Sequence, residues 1–222
     1  MKNINHIGIS NLLNLVVRLR KAQHLQDLFV LSELDYKTDG FFVEFGATDG
    51  LSISNTWLLE KYFNWKGILA EPAQIWHDRL RSNRNCAIDT RCVWKESGQD
   101  IIFNQAESPE LSKIDSVVID DWAKDIRGVN ATQYPVRTVS LVDLLTEHQA
   151  PREIDYISID TEGSEFDILE AFDFDAYKVK IWTIENNLKQ KNWNVSELML
   201  SKGYVRIYED ISEYDDWYCL KS

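Results

Sequence analysis

Four apolar runs, each carrying a carboxylate at or next to its end, constrain this chain more than any other feature: "FFVEF", "GILAE", "IDYISID" and "KIWTIEN". They are short and rich in aromatic and β-branched residues. Three of them lack the polar alternation of a half-exposed strand, which is how strands buried on both faces read. Segments with helical spacing lie between them, such as "ISNTWLLEKYFNW", where Ile53, Trp57 and Leu58 share one face. Ser52 or Ser54 is placed to cap that helix, and Gly67 follows as its stop signal. With the next helix, "AQIWHDRLRS", and a strand near "CAIDTRCVW", the order is βαβαβ. That order predicts an α/β fold: a parallel sheet with helices on both faces.

The chain closes with "IDYISID", the helix "GSEFDILEAF", "KIWTIEN" and the helix "NVSELMLSKG". Two last strands, "YVRIYED" and "DWYCLK", follow with a tight connection that predicts an antiparallel pair. "SLVDLLTEH" reads as a short helix capped by Ser140. Residues 104–138 are polar and hold Pro109, Gly128 and Pro135, so they read as an irregular insert, either a binding loop or a mobile surface loop. An amphipathic helix covers roughly residues 10–32, with Arg18, Arg20 and Lys21 among its apolar positions. The domain organisation expected is an N-terminal helical segment, 1–38, and one domain, 39–222. The first segment would dock on that domain or pair with a second subunit as a homodimer.

Charge narrows the function classes. Net charge is −12 and the sequence pI about 4.8, the reverse of the basic footprint that neutralises phosphates, so nucleic acid is not the expected substrate. No run reaches the roughly 18 apolar residues of a membrane span. Three cysteines, Cys86, Cys92 and Cys219, fit neither a zinc spacing nor full pairing, and indicate buried thiols in a reducing, cytoplasmic setting. The histidines His6, His24, His77 and His148 form no metal-binding spacing. Trp193, Trp217 and Tyr218 are candidates for a sugar-stacking surface, with core packing as the alternative.

In open α/β sheets ligands sit at the carboxyl ends of the strands, where strand order reverses. Those ends read "EFGATDG", "AEP", "DTEG" and "ENN". Gly46 and Gly50 let backbone approach a ligand closely. A dinucleotide fingerprint would need a further glycine where Thr48 stands, and Glu44 and Asp49 would repel pyrophosphate. Glu71, at the end of the second strand, holds the position at which a carboxylate accepts ribose hydroxyls. A nucleoside that carries a cation in place of phosphate is S-adenosylmethionine. Glu44, a charge set among apolar residues, would then anchor its cationic end, directly or by bracing the loop.

The stretches "FFVEFGATDGLSISNTWLLEKYFNWKGILAEP", "ELSKIDS" and "DYISIDTEGSEFDIL" resemble the FkbM family of methyltransferases, over roughly residues 39–210. The resemblance implies the Rossmann-like class I methyltransferase fold: a seven-stranded, mostly parallel sheet with an antiparallel C-terminal strand. It implies S-adenosylmethionine as cofactor and a hydroxyl acceptor on a sugar, polysaccharide or small natural product. By motif, Glu44, Gly46, Ala47, Asp49, Gly50 and Ser52 would surround the methionine end, and Glu71 the ribose. Pro72 and the region of Arg91 to Val93, Cys92 included, would frame the adenine, and Asp160 would touch the cofactor.

For proton removal from the acceptor the candidates are Asp160, Glu162 and Glu185, with Glu165 and His148 behind them. Glu165 has an alternative role at a helix N-terminus. Asp160, Glu185 and Asn186 are also candidate ligands for a divalent metal such as Mg²⁺. Two other readings remain: a non-catalytic cofactor-binding module or partner subunit, and a nicotinamide oxidoreductase, against which the missing glycine and clustered acids argue.

Overall fold

The computed structural model describes residues 17–186, 193–212 and 214–221. In chain order the first half runs α1 (Gln26–Glu33), β1 (Phe41–Phe45), α2 (Trp57–Phe63), β2 (Lys66–Ala70), α3 (His77–Asn83), β3 (Ala87–Asp89) and β4 (Cys92–Trp94). Then come β5 (Asp100–Gln105), β6 (Lys113–Ile114), α4 (Lys124–Arg127), β7 (Thr132–Ser140) and α5 (Leu141–Glu147). The chain ends with β8 (Glu153–Ile159), α6 (Glu165–Glu170), β9 (Lys178–Glu185), α7 (Trp193–Ser201), β10 (Tyr204–Ile207) and β11 (Asp215–Leu220).

The main sheet has seven strands in the order β10-β11-β9-β8-β1-β2-β3. β11 runs antiparallel to both its neighbours, and the remaining pairs are parallel. This is the mostly parallel seven-stranded sheet expected. The chain moves outward from β1 through β2 to β3, then returns to the other side of β1 with β8. The reversal point therefore lies between the ends of β1 and β8, where Phe45 pairs with both Ala70 and Ile159.

The continuous apolar runs are explained by two apolar layers. Val43 and Phe45 of β1 pack with Ile157 and Ile159 of β8 on one face. Phe42 points to the other, into a layer with Leu69, Tyr156 and Trp217. Phe29, Val30 and Leu31 of α1 belong to that second layer, so α1 packs on the domain. Trp217 stacks on Phe29 at 4.6 Å, and Tyr218 is fully buried. Neither forms a sugar-stacking surface; the side chain of Trp193 lies outside the described residues.

Local expectations and structure differ in three places. The helix read over 10–32 is interrupted: residues 10–16 lie outside the described part, and Leu25 at φ 70 separates residues 17–19 from α1. In between, Ala22 forms a parallel bridge with Ile53. Ile53 itself is not on a helix, being 42% exposed at φ 54, because α2 begins only at Trp57. Finally, "CAIDTRCVW" is two strands and not one. β3 stays in the main sheet, while β4 starts a second sheet of order β4-β7-β5-β6.

That second sheet takes in both ends of the polar 104–138 insert and Lys113–Ile114 within it. The insert escaped detection because the first half of β7 is mostly exposed and contains Pro135. β4 pairs only with Thr138–Ser140, so the stretch around Pro135 has one free edge, where the missing N–H costs nothing. Ser140 caps α5 as expected, its Oγ accepting from Asp143 N–H at 3.1 Å.

Among the described residues no helix is long and apolar enough to cross a membrane. The three cysteines are unbridged.

Candidate functional site

A cavity of about 610 Å³, counting the solvent at its mouth, opens at the reversal point between β1 and β8. Gly46, Thr48 and Ile53 form its side toward β1; Glu71 and Pro72 follow β2. Cys92, Val93 and Phe103 wall one end, and Asp160 and Glu162 the other.

Gly46 is the hinge of this arrangement. Its φ is +69, and a Cβ there would stand 1.9 Å from the carbonyl oxygen of Asp160, so no other residue fits between the two strand ends. Gly46 N–H donates to Ala70 O at 3.1 Å, which ties the turn to β2 as well.

Glu44 finds its partners in its own chain. Side chains alternate along a strand, so Glu44 shares the Phe42 face and points toward the α2 layer and not into the cavity. Its carboxylate accepts from Asn55 N–H at 2.7 Å, from Ser54 Oγ at 3.0 Å and from Thr56 Oγ1. The buried guanidinium of Arg84 lies 3.6 Å away and also bonds Ser54, Thr56 and Glu60. Of the two roles expected for Glu44, this geometry builds the brace.

Asp49 is similar. Its Oδ1 accepts from Leu51 N–H and Ser52 N–H at 3.0 and 2.7 Å, and its Oδ2 meets Arg79 at 2.9 Å. Both acids read as facing a cationic ligand are thus satisfied internally. Glu44, Ala47, Asp49, Gly50 and Ser52 shape the turn without lining the cavity, whereas Gly46, Glu71, Pro72, Cys92 and Asp160 line it.

Glu71 is different in kind. It is 4% exposed, and its two oxygens accept from Thr48 N–H at 2.8 Å and Ala73 N–H at 2.7 Å. No cation is among these partners, and burial pushes its carboxyl up to about 7. A buried carboxylate held at a cavity wall by two amides keeps lone pairs for a ligand that donates hydroxyls.

Beyond Asp160 a second carboxylate group gathers. Asp160, Glu162 and Glu185 bring oxygens within 4.8 Å of one another. Burial first, then the charge of Glu162, holds the Asp160 carboxyl well above its usual range; burial, then Asp160, does the same for Glu185. Burial pushes Glu162 to about 7, against the lowering pull of Arg127. Arg127 comes from α4 in the insert, is itself buried, and pairs with Glu162 and with both oxygens of Asp121. Sequence reasoning missed it, since "DDWAKDIRGVN" looks like solvated loop; so too Thr48, Ile53 and Phe103.

Other candidates are set elsewhere. Glu165 accepts from Thr161 N–H and Oγ1 and from Gly163 N–H at 2.9–3.1 Å, bracing the loop behind the cavity. His148 sits 3.0 Å from Asp89 Oδ2, away from the carboxylate group. Arg91 turns from the cavity to Asp89 and Glu147.

The metal expectation fits the residues poorly. The Asn186 amide donates to Asp216 Oδ2 at 2.9 Å, and Arg127 already brings a positive charge to Glu162.

A family model described as methyltransferase FkbM domain matches residues 44–217. No curated protein matches the chain. Among solved structures, it is similar to a precorrin-6y C5,15-methyltransferase from Geobacter metallireducens GS-15, at 13% identity, over 92% of each chain, with a TM-score of 0.47. It is also similar to human methyltransferase 10 domain containing protein, at 12% identity over 88% of this chain and 80% of that one, TM-score 0.45. A methyltransferase from Pyrococcus furiosus matches at 14% identity over 89% and 81%, TM-score 0.43.

Proposed function

The chain belongs to the FkbM methyltransferase family, and from that premise we propose that it transfers the methyl group of S-adenosylmethionine to a hydroxyl oxygen of a sugar or small natural product. The observation that carries this reading is Glu71: a buried carboxylate, amide-held, facing a cavity that begins at a glycine turn and ends at a second group of acids.

The chain's residues fit the cofactor. Gly46 lines the cavity and would meet the cofactor with bare backbone. Glu71 would accept its ribose hydroxyls, and Pro72, Cys92 and Val93 would wall the base. When bound, S-adenosylmethionine supplies an activated methyl carbon with its own leaving group. What remains for the protein is alignment of the acceptor and removal of its proton. Glu162 is suited to the second task. Its carboxyl titrates near neutrality, it lines the cavity, and Arg127 favours its ionised form. Asp160 and Glu185, whose carboxyls burial and repulsion from neighbouring acids hold above their usual range, would hydrogen-bond the acceptor.

Calorimetry with S-adenosylhomocysteine beside NAD⁺ tests the reading. Binding of the first alone is expected; no heat with S-adenosylhomocysteine would withdraw it.

A further inference from the structure

A second cavity, of about 640 Å³ with its open mouth, adjoins the first and shares Ile53, Glu110, Asp160 and Glu162 with it. Its outer wall carries two aromatic rings, Trp122 and Tyr214, and its floor carries Glu185 and Asp215 beside the shared acids. We infer that this cavity is the acceptor site, that it takes an uncharged, hydroxyl-rich ring, and that Trp122 is the platform on which the ring lies. The inference rests on the methyl-transfer reading above.

Trp122 is 69% exposed, an unusual placement for so large an apolar side chain. Its neighbours are fixed. Asp121 is paired with the buried Arg127, and Ala123 is fully buried with its N–H on Asp121 Oδ1 at 3.0 Å. The backbone is thus pinned on both sides of a displayed indole. Opposite, Tyr214 is half-exposed and set edge-on against His24 at 5.5 Å. Rings held this way offer an apolar face to a flat ligand at little entropic cost.

The floor decides the ligand's charge. No Lys or Arg lines the cavity among the described residues, so a phosphate or carboxylate on the acceptor would meet five acids and no lining cation. Nor is the floor a bare anionic well suited to an ammonium group. Arg127 offsets Glu162, and Gln26 Nε2 donates to Asp215 Oδ2 at 2.6 Å. Burial and repulsion from neighbouring acids hold the Asp160 and Glu185 carboxyls well above the usual carboxylate range. What the floor presents is a set of carboxyl oxygens, matched to several hydroxyl donors on one face of a ring.

Saturation-transfer NMR on the full chain, loaded with S-adenosylhomocysteine, tests this. The probes are methyl α-mannopyranoside and methyl α-glucopyranoside (neutral), glucuronate (anionic) and glucosamine (cationic). Saturation of the neutral glycosides is expected to exceed that of both charged sugars. It should fall about fivefold in Trp122→Ala and partly recover in Trp122→Phe, with melting temperature and S-adenosylhomocysteine affinity unchanged. No transfer to either neutral glycoside, stronger transfer to a charged sugar, or an unaltered signal in Trp122→Ala overturns the inference and leaves methyl transfer standing. Failure to bind S-adenosylhomocysteine defeats methyl transfer instead, and the same sugar spectra without cofactor then decide the cavity.

Discussion

The carbonyl oxygen of Asp160 lies where it would be 1.9 Å from any Cβ on Gly46. Two strand ends from opposite halves of the sheet thus meet with no room for a methyl group. Gly46→Ala should destabilise the chain by roughly 2–4 kcal/mol, since both the contact and the left-handed backbone oppose the new side chain. Urea unfolding checks it. A wild-type midpoint in the variant would mean that the strand ends stand farther apart.

Glu71→Gln tests the ribose assignment. The amide keeps the shape of the carboxylate but points N–H hydrogens at one of the two backbone donors that Glu71 now accepts. Affinity for S-adenosylhomocysteine should fall at least about tenfold by calorimetry. Equal affinity would remove Glu71 from the cofactor site.

Arg127→Gln separates the charge role of the insert from its packing role. Without the guanidinium, Glu162 loses the pull that lowers its carboxyl toward ionisation. The ionised form is the base, so activity rises as pH passes its titration. In the variant that rise should move up by about one pH unit. Glu162→Gln should instead cut kcat and leave cofactor affinity near wild type. An unmoved profile in Arg127→Gln would exclude Glu162 as the base.

Arg84 holds Glu44 and Glu60 together with its side chain fully buried. Arg84→Met leaves both carboxylates without their cation and should cost about 3 kcal/mol or more. Arg81→Met, removing a half-exposed guanidinium 3.8 Å from Asp78, should cost less than about 0.5 kcal/mol. Thermal melts of the two, side by side, make the comparison.

Stability of the unliganded chain should fall as pH rises from about 5 to 8. Burial raises Glu71 from 4.5 to about 7 and Asp215 and Asp27 from 3.8 to about 6. The folded state therefore binds more protons than the unfolded one across that window. The stabilisation is complete below the ordinary carboxylate range and is lost as pH climbs through the raised values. Asp89 and Asp155, held low despite burial by Arg91 and by Lys180 and Lys37, act in the opposite sense and withdraw stability on acidification. A melting temperature that is flat from pH 5 to 8 would contradict the raised set.

The sheet was legible in the sequence because burial on both faces leaves a mark on consecutive residues. Phe41–Phe45 and Glu153–Ile159 needed no partner to be recognised. The Ser140 cap was legible for the same reason, its bond spanning only three residues. What resisted reading depends on residues far apart. Glu44 looked like a charge awaiting a ligand because Arg84 is forty positions on, just past the end of a helix that local periodicity describes only as amphipathic. Arg127 looked like loop because its partner, Glu162, belongs to another segment altogether. Glu71 was read as lying at its strand end, and there the structure places it beside the cavity.

The second sheet leaves and rejoins the chain at nearly one place: β4 begins at Cys92, opposite Thr138, and β7 ends at Ser140, opposite Trp94. Everything between is a cassette with a narrow neck, and it carries both Arg127 and Trp122. A change between those two ends reaches Arg127, Trp122 and the Cys92–Phe103 wall, and through them both cavities, without passing through β1, β2 or β8.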